Sequence, residues 1–237
     1  MSAILKDVRI GDCRLINARM EDVANLPVFD LGLTDPPYGI GENSKKVASR
    51  GKLALPKDYG NFDWDKQPAT PEQISHFRAH SKNQIIFGGN YFDLPPSSCW
   101  LVWDKQNGSN DFADCELAWT NLTKAVRRIY WRWNGMIRKG DDVRIHPTQK
   151  PVGVMDWCLS QVPDTKTVFD PWMGSGTTAI SCVKKGLKFT GVEADSAMFE
   201  KACKRVEEAY RQGDMFTPAP EKPIAPVQID LIGEDAA

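Results

Sequence analysis

Short apolar segments alternate with longer segments of helical periodicity along most of the chain, and this alternation restricts the fold more than any other feature. It is typical of α/β proteins, in which helices connect the strands of a largely parallel sheet. The predicted strands are Val8–Gly11, Val28–Thr34, Gln84–Gly88, Leu101–Trp103, Thr167–Phe169 and Lys188–Val192. The predicted helices are Pro71–Ser81, Val152–Val162, Thr177–Lys185 and Ser196–Arg211.

Three segments do not fit this alternation. Glu42–Asp58 is polar and basic, which indicates a loop, and Lys105–Arg144 is aromatic and increasingly basic, which indicates an insert or a large loop. Thr217–Ala237 combines prolines with acidic residues, as extended or disordered tails do. We therefore predict one domain over residues 1–216, with a small insert at 105–144, followed by a tail.

Composition excludes several classes of protein. Hydrophobic residues make up 41% of the 237 residues, enough for a packed core. The sequence has no run of about 18 apolar residues, so we expect no membrane span, and its start lacks a signal peptide's apolar region, which favours the cytoplasm. The six cysteines have no CxxC spacing; we expect reduced, mostly buried thiols and no metal site, with disulfides or a metal as alternatives.

A glycine-rich turn follows one predicted strand and precedes a helix, in the sequence TVFDPWMGSGTT at 167–178. Glycines let a ligand approach the backbone, and a helix start offers free N–H groups, although such a turn can also exist without a ligand. Glu193 follows Gly174 by 19 residues, at a strand end where a carboxylate accepts ribose hydroxyls in dinucleotide folds. Because GxGxxG and a phosphate-binding lysine are both lacking, S-adenosylmethionine fits better than NAD or ATP.

A second motif, LTDPPYG at 33–39, comes directly after another apolar strand. Asp35 is predicted at the carboxyl end of that strand, where ligands bind in open α/β sheets. The two prolines stiffen the loop and remove N–H donors, and Tyr38 adds an aromatic face. The motif can hold an exocyclic amine, since Asp35 and the Pro36 carbonyl accept its hydrogens while Tyr38 stacks on the base; a chance Pro-Pro turn is the alternative.

Together, DPPY and DPWMGSGTT resemble the DNA amino-methyltransferases, which methylate adenine N6 or cytosine N4 with S-adenosylmethionine. Here the catalytic tetrapeptide precedes the cofactor loop, which resembles the permuted β class. HPTQKP at 146–151, RIGDCRLI at 9–16 and FGGNYF at 87–92 resemble further cofactor-side segments of the family. The resemblance implies a Rossmann-like methyltransferase fold of seven mostly parallel strands flanked by helices, with the last pair antiparallel and the catalytic and cofactor strands adjacent.

The resemblance also implies the site residues. The catalytic ones are Asp35, Pro36, Pro37 and Tyr38. The cofactor-binding ones are Asp12, His146, Thr148, Gln149, Lys150, Asp170, Pro171, Gly174, Ser175, Gly176, Thr177 and Glu193. The target base is expected to flip out of the duplex, because its amine is not reachable inside the stack. Cytosine-C5 methyltransferases use a cysteine preceded by a proline as their nucleophile. No cysteine follows a proline in this sequence, so that reaction is disfavoured.

Near-neutral net charge conceals a basic region. Lys124–Lys150 carries eight basic and two acidic residues, a net charge of +6, while the whole chain carries −1. The loop at 42–58 has a net charge of +3. Cations there would pair with the phosphates of double-stranded DNA, and the interleaved aromatics Tyr130, Trp131 and Trp133 would stack or wedge. The predicted DNA contacts are Lys45, Lys46, Arg50, Lys52, Lys124, Arg127, Arg128, Arg132, Arg138 and Lys139.

Several functions remain open on sequence grounds. Adenine N6 is favoured over cytosine N4, because cytosine enzymes of the family more often begin the tetrapeptide with serine. A nicotinamide oxidoreductase would need GxGxxG and would leave DPPY without a role. An inactive nucleic-acid-binding module and an RNA substrate also remain open, and a homodimer is one assembly that the resemblance allows.

Overall fold

The computed structural model describes residues 4–40, 67–107, 113–134, 137–138 and 149–216. In chain order the strands are β1 (Lys6–Ile10), β2 (Cys13–Asn17), β3 (Phe29–Thr34), β4 (Ser81–Phe87), β5 (Trp100–Asp104), β6 (Cys115–Thr120), β7 (Arg127–Tyr130), β8 (Trp133–Asn134), β9 (Ile137–Arg138), β10 (Thr167–Asp170) and β11 (Lys188–Glu193). The α-helices are α1 (Pro71–Ala79), α2 (Val152–Ser160), α3 (Thr177–Lys184) and α4 (Ser196–Phe216). Every predicted strand and helix is confirmed, with ends shifted by a few residues.

Among the described residues, a mixed sheet of nine strands, in the order β1-β2-β11-β10-β3-β4-β6-β5-β7, forms the centre of the fold. Its middle strands, from β2 to β4, are all parallel. β10 pairs with β3, so that Val168 lies opposite Leu31. The prediction that the cofactor and catalytic strands are neighbours is therefore confirmed. The switch in strand order falls between them, which is where open α/β sheets bind ligands.

The sheet differs from the seven-stranded prediction at both edges. β1 adds a strand by forming an antiparallel hairpin with β2. At the other edge β6 is antiparallel to both β4 and β5, whereas the last pair, β5 and β7, is parallel. The prediction that Lys105–Arg144 stands outside the sheet is wrong, since β6 and β7 lie within it. Glu116 in β6, and Arg127 and Arg128 in the edge strand β7, interrupt the apolar pattern, which is weak for that reason.

Helices cover both faces of the sheet. One core cluster packs the sheet against α2, α3 and α4, through residues such as Met155, Cys182 and Phe199. The other packs it against α1, through Ile74 and Phe77. Burial of apolar surface on both faces is the main stabilising contribution in such a fold, and it fixes which strand ends lie together.

Helix α1 begins with a capping box beside the site described below. Gln73 donates its backbone N–H to Thr70 Oγ1 over 3.3 Å, and Thr70 donates its own N–H to Gln73 Oε1 over 2.9 Å. Pro71 occupies the first turn, where its missing N–H carries no cost. The predicted helix start at Pro71 is confirmed.

All six cysteines are free thiols, and five of them are buried, Cys115 being partly exposed. The prediction that most of the cysteines are buried is confirmed. Burial raises the pKa of Cys13 to about 11, so this thiol stays protonated at neutral pH.

Within the part of the chain that the structure describes, none of the helices combines the length and the apolar character that a membrane span needs.

Candidate active site

The two sequence motifs meet at one edge of the sheet. Asp35 follows β3 directly, and Asp170 is the last residue of β10. Because β3 and β10 are parallel neighbours, their carboxyl ends lie side by side. A hydrogen bond joins them, since Thr34 Oγ1 donates to Asp170 Oδ1 over 2.7 Å.

Both carboxylate oxygens of Asp35 have partners within the protein. The Tyr38 hydroxyl donates to Oδ1, and the Lys150 ammonium pairs with Oδ2. Burial raises the pKa of Asp35 above its usual value, the neighbouring Glu116 carboxylate adds to the rise, and Lys150 and Tyr38 oppose it. Asp35 is thus a desolvated acceptor positioned by two donors.

Lys150 connects Asp35 to two charged residues that sequence analysis did not single out. Its Nζ lies 3.2 Å from Glu116 Oε2, and Lys105 Nζ lies 2.7 Å from Glu116 Oε1. Burial lowers the pKa of Lys150, but Asp35 and Glu116 outweigh burial and raise it above its usual value. Burial likewise raises the pKa of Glu116, and the two lysines together bring it below its usual value.

Tyr38 lies in an aromatic environment formed by the segment after β4. Its ring stacks on Tyr91, with centroids 4.9 Å apart, and meets the edge of Phe92 at 6.3 Å. Gly88 has a φ of +64°, and a Cβ there would lie 2.1 Å from the Tyr38 ring. The FGGNYF segment therefore packs against the tetrapeptide, rather than lying on the cofactor side as predicted.

Glu193 holds the glycine loop in place. Its Oε2 accepts the Gly174 N–H over 3.0 Å, and its Oε1 accepts the Asp195 N–H over 2.7 Å. Burial raises the pKa of Glu193 to about 7, although these two N–H donors lower it. Gly176 precedes α3 with a φ of +78°, a conformation that favours glycine and exposes the helix start.

Asp170 connects the glycine loop to the neighbouring strand through hydrogen bonds. It is buried and accepts hydrogen bonds from Thr34 Oγ1, from Thr178 Oγ1 over 2.7 Å and from the Trp172 N–H over 3.2 Å. Burial raises its pKa to about 6 despite these donors. Its oxygens therefore fix the β10–α3 turn to β3, which makes its role structural as well as cavity-lining.

One cavity of about 800 Å³ extends across both motifs, a volume within the usual range for ligand sites. The residues predicted from sequence that line it are Asp35, Pro37, Gln149, Lys150, Asp170, Pro171, Gly174, Ser175, Thr177 and Glu193. Pro36 is buried, and Tyr38 and Gly176 do not line the cavity themselves but adjoin residues in the sequence that do. The two motifs thus share one space.

A further part of the cavity wall consists of residues that were not predicted from the sequence. Residues 18–21, which follow β2, line the cavity together with Gln73 and Met198. Gln73 donates to Glu21 Oε1 over 3.1 Å, and Arg19 donates to the same oxygen over 3.2 Å. The position of residues 18–21 at the carboxyl end of β2 could have identified them as site residues, but the apolar pattern alone did not reveal this strand.

The assignment of Asp12 to the cofactor is wrong. Asp12 lies in the turn between β1 and β2, and the next residue, Cys13, pairs with Phe189 near the start of β11. Asp12 is therefore at the amino edge of the parallel strands, whereas Glu193 is at the carboxyl edge. Its N–H donates to the Tyr210 hydroxyl over 2.8 Å, and its side chain is exposed away from the cavity.

The HPTQKP segment is described in part. His146 and Thr148 lie outside the described residues. Gln149 and Lys150 are buried, and the Gln149 carbonyl accepts the Trp133 Nε1–H over 3.1 Å. Lys150 was predicted to contact the cofactor; its side chain does line the cavity, but its ammonium is paired with Asp35 and Glu116.

Among the predicted DNA contacts that the structure describes, the basic side chains do not form a single patch. Lys124 Nζ donates to the carbonyl of Gln161, which follows the end of α2 and lies at the amino edge. Arg127 and Arg128 are exposed on the edge strand β7, and neighbouring strand residues point to opposite faces. Arg132 is exposed just beyond β7, at the edge that holds Asp35. Lys45, Lys46, Arg50, Lys52 and Lys139 lie outside the described residues, as does the side chain of Arg138.

The aromatic residues of the basic region differ in exposure. Trp133 belongs to the core, and Trp131 is partly buried against it, so the expectation that they stack on DNA is wrong for Trp133 and weakened for Trp131. Tyr130 is 46% exposed and has the Arg128 guanidinium 4.4 Å from its ring centroid. Tyr130 and Arg132 thus remain accessible at the catalytic edge.

Comparison with known protein families shows which family this chain belongs to. The sequence model of the N6/N4 family, described as DNA methylase, matches residues 68–204, more than half of the chain. The chain belongs to the DNA methylase family. The match includes the glycine loop and Glu193, whereas the DPPY tetrapeptide at 35–38 lies before the matched residues of this DNA methylase.

Individual relatives are more distant. The chain is 27% identical over 153 residues to the Type II methyltransferase M2.DpnII of Streptococcus pneumoniae, covering 64% of this chain and 52% of that protein. It is 25% identical over 159 residues to M2.LlaDCHI of Lactococcus lactis subsp. cremoris, covering 66% and 54%. This DNA methylase chain thus spans about half the length of the curated relatives it matches.

A solved structure agrees with the fold. The crystal structure of the M1.HpyAVI-SAM complex superposes with a TM-score of 0.50 at 20% identity, covering 81% of this chain and 99% of that one. At this identity the likeness concerns the fold alone. It supports a methyltransferase-like α/β architecture for this DNA methylase.

Proposed function

We propose that this chain transfers a methyl group from S-adenosylmethionine to the exocyclic amine of a base in double-stranded DNA, with adenine N6 as the target. The carrying observation is that Asp35, which accepts a hydrogen bond from Tyr38, lines the same cavity as Glu193 and the glycine loop. Membership of the DNA methylase family supports the reaction class.

The cofactor assignment depends on the chemistry of the cavity. Glu193 supplies a carboxylate suited to a pair of ribose hydroxyls, and residues 174–177 supply a backbone turn at a helix start. No cationic side chain lies on this turn, so a nucleoside without phosphates fits better than a nucleotide. When bound, S-adenosylmethionine supplies an electrophilic methyl group.

The chain's own residues prepare the amine. An aromatic amine is a poor nucleophile, because its lone pair is delocalised into the ring. Asp35 accepts one amine hydrogen, which favours a more tetrahedral nitrogen with an available lone pair, and Tyr38 provides a flat surface for the base. Positioning and electrostatics then contribute most of the rate enhancement, and the amine proton leaves during or after transfer.

A target base has to leave the duplex to reach this cavity. Unstacking costs a few kcal/mol, which binding of the base and of the flanking phosphates offsets. Arg132 and Tyr130 are exposed at the catalytic edge, which makes them the best-placed described residues for DNA. The segment 105–144 contributes to target recognition in this proposal through the part that follows β7.

The test is methylation of mixed-sequence double-stranded DNA, and of RNA in a parallel reaction, with isotopically labelled S-adenosylmethionine, followed by digestion to nucleosides and mass spectrometry. Labelled N6-methyladenine is the expected product. Labelled N4-methylcytosine would keep the reaction class and overturn the adenine assignment, and product from RNA alone would overturn the DNA substrate. An Asp35→Asn variant run in parallel detects contaminating methylases.

A further inference from the structure

Four side chains of alternating charge form a continuous ion-pair chain beside the tetrapeptide. In order they are Lys105, Glu116, Lys150 and Asp35, and Lys150 contacts both carboxylates. They come from four different parts of the fold: the ends of β5 and β3, the start of β6 and the residue two before α2. The side chains are 7–24% exposed, so these charges are largely removed from water.

Such a chain needs a reason beyond stability. Desolvating charges is expensive, and a buried ion pair often contributes no more stability than apolar residues of the same volume. A single Lys150–Asp35 pair would neutralise the tetrapeptide carboxylate. Glu116 and Lys105 extend the pair by two further partly buried charges, and Lys150 is thereby shared between two carboxylates.

The resting contacts of Asp35 present a problem for catalysis. One oxygen accepts the Tyr38 hydroxyl and the other is paired with Lys150. An incoming amine needs one of these oxygens as its acceptor. Glu116 Oε2 already lies 3.2 Å from Lys150 Nζ, so the ammonium has a second carboxylate in reach when Asp35 takes a new donor.

Building on the amine methyl transfer proposed above, we propose that Glu116 is a positioning residue, which takes over Lys150 when the target amine reaches Asp35. Lys105 sets the strength of this exchange, because it competes with Lys150 for Glu116. The charge of the four groups together is zero throughout, so no proton has to enter or leave the chain for the exchange to occur.

The proposal predicts opposite effects of two substitutions on Asp35. Glu116→Gln removes a negative charge and leaves Lys150 to Asp35 alone, so the pKa of Asp35 falls. Lys105→Met leaves Glu116 charged without its outer partner, so Glu116 attracts Lys150 more strongly and the pKa of Asp35 rises. The other groups that act on Asp35, Tyr38 and Asp170, are unchanged in both variants.

The first experiment uses the protein without ligand. Carboxyl carbon-13 NMR of labelled aspartate, with the Asp35 signal assigned from Asp35→Asn, follows the titration in each variant. We expect shifts of about half to one pH unit, of opposite sign for Glu116→Gln and Lys105→Met. Lys82→Met is the matched control, since it breaks an exposed pair with Asp30 at the amino edge and should leave Asp35 unchanged.

The second experiment measures methyl transfer by the same variants. Glu116→Gln should lower kcat about tenfold with KM for the cofactor unchanged, and the acid limb of kcat should move down in pH for Glu116→Gln and up for Lys105→Met. Shifts of the same sign, no shifts, or a wild-type kcat in Glu116→Gln would overturn the positioning role. Wild-type protein that is inactive on DNA while showing opposite Asp35 shifts would instead reject the proposed reaction and retain the coupling.

Discussion

Ionisation of Glu193 should control cofactor affinity around neutral pH. Burial raises its pKa to about 7, whereas ribose hydroxyls that donate to the carboxylate favour the ionised form. Binding therefore lowers the pKa and releases a proton, so affinity rises with pH. With a pKa near 7 the carboxyl is about one tenth ionised at pH 6 and about nine tenths ionised at pH 8, which gives about a tenfold gain in affinity.

Glu193→Gln removes this titration. The variant keeps an acceptor oxygen but loses the charge-assisted hydrogen bonds, each worth about 1.5–3 kcal/mol, so affinity at pH 8 should fall by about ten- to a hundredfold. The ratio of wild-type to variant affinity should rise with pH between 6 and 8, and any titration of the ligand itself cancels in that ratio.

Isothermal titration calorimetry of S-adenosylmethionine binding, at several pH values and in buffers of different ionisation enthalpy, measures both the affinity and the released proton. Glu200→Gln is the matched control, because Glu200 is on α4 and pairs with the exposed Lys6 away from the cavity. A ratio that does not change with pH, or proton release that persists in Glu193→Gln, would refute the assignment of this carboxylate.

Three further outcomes are expected. Asp35→Asn should abolish methyl transfer while changing the cofactor Kd by less than about threefold in calorimetry, because Asp35 is separate from the glycine loop; an equal loss of cofactor affinity would contradict this. Arg132→Ala should reduce the salt slope of DNA binding by about one, and Lys124→Ala should leave it unchanged, in fluorescence titrations against salt. The melting temperature of ligand-free Glu193→Gln relative to wild type should rise between pH 5 and pH 8, because a carboxyl whose pKa burial raises to about 7 costs stability as pH rises from its unfolded value toward 7. A melting-temperature difference that does not change with pH would count against the burial argument.

Local sequence pattern was sufficient for the catalytic and cofactor strands. Asp35, Asp170 and Glu193 each end an apolar run, and parallel topology brings such ends to one edge. Asp12 failed the same logic, because it precedes β2, and the hairpin with β1 places it at the start of the strand. In a parallel sheet, whether a residue lies at the start or at the end of its strand decides which edge of the sheet it occupies.

Glu116 was beyond the reach of sequence pattern for another physical reason. Its strand, β6, runs antiparallel to its neighbours, so the catalytic edge receives the beginning of that strand and not its end. The strand also lies in a basic segment that indicated a loop. Only the assembled sheet brings Glu116 and Lys105 to Lys150.

The pairing of β3 with β10 has a consequence for the time course of folding. Thr34 and Asp170, which join the two motifs, are 136 residues apart in the chain. Contacts of such separation form slowly, since the entropy of closing a long loop is lost before the contact contributes. A ribosome that has released only the first half of this protein has already made the tetrapeptide, yet the nascent chain still lacks β10, α3 and β11. The proposed methyl transfer would therefore require synthesis to have passed Glu193, since a product terminated before β10 would lack the glycine loop and Glu193 that line the cavity with Asp35.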